Sequence, residues 1–371
     1  FPNTRDPQKR LRIAFFSPDF REHSVAFFIE PLIQNLDRER FEIFLYHHHW
    51  YIDDVSRRLQ RSAAQWRNFL GQTASSIEAQ ILKDAPDILV DLAGHSGFNR
   101  IDALARRVAP VQINYLGYPN TSGVEAMDYR FTDAIADPPD QSASLHSEKL
   151  VYLAGTAWTY QPPEYAPPVA TPPNSRGQPF TFGSFNNLSK LSKATWRLWA
   201  EVLRVVPDSR LILKGIAANS AQLQQHATEA GIDLSRLVCL PGTCTAAEHL
   251  GCYEQIDVAL DPFPYSGTTT TCEALWCGVP VISLRGDRHA SRVGASLLTA
   301  VGHPEWIAAD TDAYVRIASD LATRRDQLPE IRAGLRLQMN ASPLLDFKGQ
   351  AARFGEALRA CWIETVTQLQ G

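Results

Sequence analysis

Several features that would each point to a class of function are missing from this 371-residue sequence. It has no long hydrophobic run. Its apolar stretches are strand-sized, and the N-terminal F-P-N-T-R-D-P-Q-K-R carries no apolar signal region, so neither a membrane span nor a secretory leader is expected. Positive charge is not in excess. The formal net charge is −4, with no basic stripe to favour a nucleic-acid partner, which moves specificity from the overall field to a local site. The six cysteines (Cys239, Cys244, Cys252, Cys272, Cys277, Cys361) include no C-x-x-C, the reading expected of reduced thiols in a cytoplasmic protein without a zinc site. No G-x-x-x-x-G-K phosphate cradle occurs, which counts against a kinase or NTPase. The one D-x-D, Asp310-Thr311-Asp312, precedes A-Y-V-R-I-A and reads as a helix N-cap rather than a metal site. His47-His48-His49 is discounted as a metal clip because neighbours in a strand point to opposite faces. There is no 34-residue self-similarity. The chain begins at Phe1 rather than Met, and a fragment or processed chain is expected.

What is present is a long alternation of strand-like and helix-like segments, the pattern of an α/β fold with mostly parallel sheets. Strands are expected at 12–16, 41–48, 87–96 and 111–117, with edge strands at 127–133 and 149–153; helices are expected at 24–36, 75–84 and 99–108. Seven prolines between Gln161 and Pro179 mark a linker. The alternation then restarts, with strands at 180–185, 210–214, 237–240 and 280–284 and helices at 192–206, 219–230, 246–255 and 291–301; helices at 312–322, 327–339 and 350–369 close the chain. The expected division is 1–160, a linker at 161–179, 180–345, and a C-terminal helix in 346–371. Two Rossmann-like halves of this kind place a cleft where sheet C-terminal ends and helix N-termini converge.

The richest stretch runs from Asp257 to Leu284, where an apolar run ends at Asp261 and a Pro/Gly-rich turn leads into Thr268, Thr269, Thr270 and Thr271 at the start of a helix. Free amides, hydroxyl donors and the positive end of the helix dipole together suit an anion such as a diphosphate. An ordinary threonine N-cap is the plain alternative, but four β-branched residues in a row are poor helix formers and rarely stack without another reason. Glu273 stands one turn further on, where a carboxylate can accept from ribose hydroxyls. Lys190, in F-N-N-L-S-K after an expected strand, is placed to neutralise a leaving diphosphate; a solvated surface lysine is the alternative. His249 in T-A-A-E-H-L suits a base or ribose contact, or a structural role. In the first half, S-P-D-F-R-E-H and D-L-A-G-H-S each offer an acid/base pair, Asp19 with His23 and Asp91 with His95, unless they cap helices instead.

Taken together, S-P-D-F-R-E-H-S, D-I-L-V-D-L-A-G-H-S, A-P-V-Q-I-N-Y-L-G-Y-P-N-T-S-G, M-D-Y-R-F-T-D, F-G-S-F-N-N-L-S-K, D-P-F-P-Y-S-G-T-T-T-T-C-E-A-L and A-S-R-V-G-A-S-L-L resemble the catalytic region of the O-GlcNAc transferase family. That group also includes SPINDLY-type protein O-fucosyltransferases and bacterial N-glucosyltransferases. The resemblance covers nearly the whole chain. It implies a GT-B architecture, two Rossmann-like lobes facing across a cleft, and an inverting, metal-independent transfer with no cofactor beyond the nucleotide-sugar donor. Residue by residue it implies a base or acceptor-site role for His23 and donor-phosphate contacts for Lys190 and Asn187. It also implies nucleotide contacts for His249 and for Cys244 to Ala246, a diphosphate site at Thr268, Thr269 and Thr270, ribose binding by Glu273, and a place near the sugar for His95. The expected activity is transfer of GlcNAc from UDP-GlcNAc to Ser or Thr of protein or peptide acceptors in the cytoplasm, with upstream tetratricopeptide repeats selecting them. The G-T-T-T-T-C-E, F-N-N-L-S-K and Y-P-N-T-S-G versions stand closer to the SPINDLY side, which keeps GDP-fucose as the alternative donor. An idle nucleotide-sugar-binding scaffold is the alternative from another class; His23 is the favoured proton acceptor or relay, with His95, a water relay and the donor's own phosphate as the other candidates for the base.

Overall fold

The structure, a computed structural model, describes residues 1–215, 220–243 and 245–368. The chain divides into two compact units, Phe1–Gln161 with Asp346–Gly371, and Pro162–Leu345. The first is built on a seven-stranded, all-parallel sheet: β1 (Leu11–Ser17), β2 (Phe41–His47), β3 (Gln65–Asn68), β4 (Ile88–Asp91), β5 (Val111–Asn114), β6 (Tyr129–Thr132) and β7 (Lys149–Tyr152). Their spatial order is β3-β2-β1-β4-β5-β6-β7. The second unit's parallel sheet holds β8 (Phe180–Ser184), β9 (Ser209–Lys214), β10 (Leu237–Leu240), β11 (Val258–Leu260), β12 (Val281–Leu284) and β13 (Ile307–Ala308). The order is β10-β9-β8-β11-β12-β13. In both sheets the chain winds outward from the first strand in one direction and then returns to wind in the other, so a switch point lies between β1 and β4 and another between β8 and β11.

The strands are apolar on both faces because helices cover both. In β1, Leu11, Ile13 and Phe15 enter one core while Ala14 and Phe16 enter the other, as the two-residue pleat requires. The first of these cores is completed from far along the chain. Ala351, Phe354, Leu358, Trp362 and Val366 of the last helix, Phe347–Gln368, pack with Ile13, Phe15, Ile113 and Phe131. Arg359 bonds the carbonyls of Pro7 and Lys9, and Trp362 that of Asp6. The expected proline linker belongs to the second unit from Pro162 onward and includes a short 3-10 turn, Pro173–Arg176.

Most departures from the expected elements are local. The helix expected at 99–108 shortens to Ile101–Leu104, because Phe98 and Arg107 adopt positive φ and close the backbone at either end. The helix Asp54–Ser62 and β3 are additions; the helix has only Val55 and Leu59 as apolar residues, one turn apart, and Asp53 starts it with a capping box to Ser56. Asp310 accepts from the Ala313 amide and starts the helix Thr311–Thr323 as the sequence indicates. Among the described residues no helix is long and apolar enough to cross a membrane.

Phe354 is fully buried, its ring within 5.2 Å of Tyr115 and Phe131 and 6.3 Å of Phe15. Replacing it with alanine should cost about 3–5 kcal/mol. Urea unfolding followed by fluorescence should show the loss; a change under 1 kcal/mol would mean that the last helix is not part of this core.

Candidate functional site

At the second unit's switch point two loops leave the carboxyl ends of β8 and β11 side by side. The β11 loop is held by Asp261, a buried carboxylate that accepts from the Gly267 amide at 2.6 Å and from Ser283 Oγ at 2.7 Å. Further along, Ser192 and Thr195 donate to the Phe263 carbonyl (2.6 and 2.5 Å), and Ser266 is tied to the Ala290 carbonyl through its amide and its hydroxyl. Lys190, at the end of the β8 loop, donates to the Ser266 carbonyl at 3.0 Å and lies 4.0 Å over the Tyr265 ring. Its ammonium is therefore fixed beside the start of the helix Thr269–Trp276. Burial lowers the Lys190 pKa and nearby Asp261 opposes that fall. Gly267 permits the close approach: a Cβ there would meet Thr270 Oγ1 at 2.4 Å and Asn186 Oδ1 at 3.0 Å.

Thr268 makes no capping hydrogen bond, so the plain N-cap reading does not describe it. Thr268 and Thr269 are half-buried at the helix start, where first-turn amides lack intrahelical partners. Thr270 donates its hydroxyl to Asn186 Oδ1 at 2.9 Å, which ties the two loops together. Of the Asn186-Asn187 pair, the buried Asn186 bridges the loops, while Asn187 is exposed and accepts from the Ser189 amide at 3.0 Å. His249 and Glu273 meet at 3.0 Å through Nε2 and Oε2, and the Tyr253 hydroxyl lies 3.3 Å from the same oxygen and 3.2 Å from the Thr270 carbonyl. Lys214, at the end of β9, donates to His249 Nδ1 at 2.7 Å. Ala246 opens the helix Ala246–Gly251, and Cys244 lies outside the described residues.

The first unit brings its own candidates to its own switch point. His23 caps the helix Ser24–Asn35, its Nδ1 accepting from the Val25 amide at 3.2 Å, with Asp19 Oδ1 3.5 Å from the same nitrogen. Burial lowers the His23 pKa to about 4, aided by Arg21 and His49, so the ring is neutral near pH 7. A neutral ring whose Nδ1 accepts carries its proton on Nε2 and donates there. The ring thus caps the helix, and in this state Nε2 is the donor. Asp91 accepts from the amides of Ala93 (3.1 Å) and Gly94 (2.8 Å), its pKa pushed up to about 6 by burial. It shapes the turn and makes no hydrogen bond to His95, so the expected pair is not formed. His95 is exposed, and its Nε2 lies 2.6 Å from the Ser122 carbonyl. A carbonyl only accepts, so Nε2 carries the proton and Nδ1 keeps its lone pair. His47 packs against Phe20 and Trp66, and His48 stacks on Phe16 at 4.5 Å, which shows the opposite orientations expected of strand neighbours.

Sequence reasoning did not assign roles to Asp261, Asn186, Tyr253 or Lys214. Asp261 was visible as the end of an apolar run followed by Pro and Gly, a carboxylate with little besides a turn to bond. Nothing local distinguishes Asn186 from Asn187.

Two doubly wound parallel sheets with polar loops gathered at both switch points define a GT-B glycosyltransferase fold. An Anabaena structure, Alr3699/HepE in complex with UDP and glucose, shares this fold at a TM-score of 0.56 and 14% identity, over 94% of this chain and 100% of that one. The family model described as glycosyl transferase family 41 matches residues 1–160 and 176–354, and the chain belongs to that family. It is similar to a Thermobaculum terrenum O-GlcNAc transferase mutant at 34% identity and a TM-score of 0.93, covering 99% of this chain and 70% of that one. Similarity to the Arabidopsis thaliana "Probable UDP-N-acetylglucosamine--peptide N-acetylglucosaminyltransferase SPINDLY" is 37% identity over 97% of this chain and 40% of the relative. The Caenorhabditis elegans UDP-N-acetylglucosamine--peptide N-acetylglucosaminyltransferase is 25% identical, over 95% and 41%. This chain thus spans about 40% of the length of these curated relatives.

Burial pushes the Asp261 pKa up to about 7, against the lowering pull of Ser283, Gly267 and Lys190. A carboxyl raised on folding contributes stability that is present below its unfolded value near 4 and lost as pH rises through 7. Asp261→Asn has no proton to lose. Its melting temperature relative to the unmodified chain should therefore climb between pH 5 and pH 8, read by differential scanning fluorimetry; a flat or falling difference would contradict this account of Asp261.

Proposed function

We propose that the chain transfers GlcNAc from UDP-GlcNAc to Ser or Thr hydroxyls of proteins, with inversion and without a metal ion. The observation that carries this reading is Lys190, held by the Ser266 carbonyl and the Tyr265 ring beside the amides of the helix Thr269–Trp276. The acceptor oxygen bonds to C1 of the sugar as the bond from C1 to the phosphate oxygen breaks, and negative charge gathers on the leaving diphosphate. A fixed ammonium and first-turn amides stabilise that charge without reorganising. In this reading they do what a cation would do, and the one D-x-D is occupied as a helix cap. Thr268, Thr269 and Thr270 line the diphosphate site with Asn187 nearby, and Glu273, with His249, Cys244 and Ala246, serves the nucleoside. The names of the relatives support a peptide acceptor and a UDP-GlcNAc donor. Upstream tetratricopeptide repeats are proposed to select acceptors. The unpaired state of the five described cysteines supports a cytoplasmic setting.

The hydroxyl's proton needs an acceptor. Of the two candidate histidines, His95 presents a lone pair at Nδ1 while its Nε2 is committed to Ser122. His23 presents an N–H and is better suited to donate to a substrate oxygen. His95 is therefore favoured as base and His23 as a positioning donor.

A second reading keeps the mechanism and changes the donor to GDP-fucose. It is supported by the four-threonine run and by SPINDLY-named relatives at 36–38% identity, against 25% for the Caenorhabditis elegans enzyme. Calorimetry with UDP-GlcNAc, UDP-glucose and GDP-fucose separates the two: binding of GDP with none of UDP would end the GlcNAc reading. Lys190→Ala should lower kcat at least ~100-fold; unchanged turnover and ligand affinity would instead favour an idle scaffold. His95→Asn should lower kcat ~100-fold or more, whereas His23→Asn should act mainly on KM. The reverse pattern would return the base to His23.

A further inference from the structure

Glu273 belongs to a chain of four side chains drawn from four elements. Lys214 closes β9, His249 sits in the helix Ala246–Gly251, Tyr253 in the 3-10 turn Cys252–Gln255, and Glu273 in the helix Thr269–Trp276. An ammonium has donors only, so at 2.7 Å from Lys214 Nζ the His249 Nδ1 is the acceptor. That fixes the tautomer. The proton lies on Nε2, which then donates to Glu273 Oε2 at 3.0 Å, while the Tyr253 hydroxyl lies 3.3 Å from that same oxygen and shares its one proton with the Thr270 carbonyl at 3.2 Å. The His249 ring also packs edge-on against an aromatic pair, 5.8 Å from Tyr253 and 6.2 Å from Phe185. Glu273 Oε2 is thereby occupied, and among the described residues Oε1 has no hydrogen-bond partner.

We propose that Lys214 is a positioning residue for the nucleotide. Through His249 it holds Glu273 with one oxygen occupied and the other turned to accept from a ribose hydroxyl. This rests on the donor-site reading of Glu273. Without Lys214, His249 Nδ1 is free to take the proton, Nε2 becomes an acceptor facing a carboxylate, and the carboxylate turns away. Lys214 is also close enough to Cys252 to act on it electrostatically. A direct pull of its charge on a diphosphate is therefore the rival account, and the two differ in what Glu273 contributes.

The test is a double-mutant cycle read by calorimetry on the full chain with UDP and GDP. Whichever diphosphate the unmodified chain binds, Lys214→Met should weaken it about tenfold, Lys214→Arg should restore most of the loss, and in a Glu273→Ala background Lys214→Met should change affinity less than twofold. Melting temperatures of the variants report whether each is folded; should Lys214→Met not fold, Lys214→Leu, which also lacks a donor, carries the same comparison. A tenfold loss that persists in the Glu273→Ala background would overturn the proposal in favour of direct attraction, and equal binding by Lys214→Met and the unmodified chain would overturn it outright. Failure of the unmodified chain to bind either diphosphate would overturn the donor-site reading, and the role of Lys214 with it.

Discussion

A buried carboxylate with two donors organises the second unit's loops. Asp261 ends β11, and its two oxygens bind a turn amide six residues ahead and a hydroxyl on the neighbouring strand. Burying a carboxyl is costly unless hydrogen bonds satisfy it, and here those bonds fix the path of the turn. Once Gly267 is pinned, Ser266 presents its carbonyl to Lys190 and Thr270 reaches Asn186, so two loops from different strands become one surface. Gly294 allows this from beneath: a Cβ there would meet Asp261 Oδ2 at 2.6 Å and Ser283 Oγ at 2.1 Å.

The first unit reaches order at its switch point by different means. Its polar loop residues serve the backbone, with His23 and Asp91 both accepting from amides. Behind them His47 and His48 are buried, and burial lowers their pKa values to about 4 and about 3. Both rings are neutral at physiological pH and behave as packing groups against Phe16, Phe20 and Trp66.

The architecture was legible because doubly wound parallel strands are short and apolar throughout, and turn residues bound them. β10 falls at the expected residues, and β1, β8 and β12 within a residue at each end. What escaped notice was polar structure, such as the helix Asp54–Ser62 held by a cap. In the candidate site, Lys190, His249, Glu273 and the threonines could be found because charge or repetition marks them in the sequence. Side-chain direction could not be found. Which asparagine of a pair turns inward, and which nitrogen of His23 or His95 keeps a lone pair, depends on amides and carbonyls contributed from elsewhere in the fold.

The last helix completes the first unit's core, and this bears on how the protein is made. When β7 leaves the ribosome, Phe15, Ile113 and Phe131 still lack Phe354 and its neighbours, and the 184 residues of Pro162–Leu345 must be synthesised first. At ribosomal speeds of roughly 5–20 residues per second that interval lasts about 10–40 s. Throughout it the nascent sheet has the face that carries Phe15 covered only in part, by the helices Ser24–Asn35 and Asp54–Ser62, and the second unit is synthesised while the first is not yet finished. Biogenesis thus runs against the usual order of synthesis, with the later unit able to mature before the earlier one.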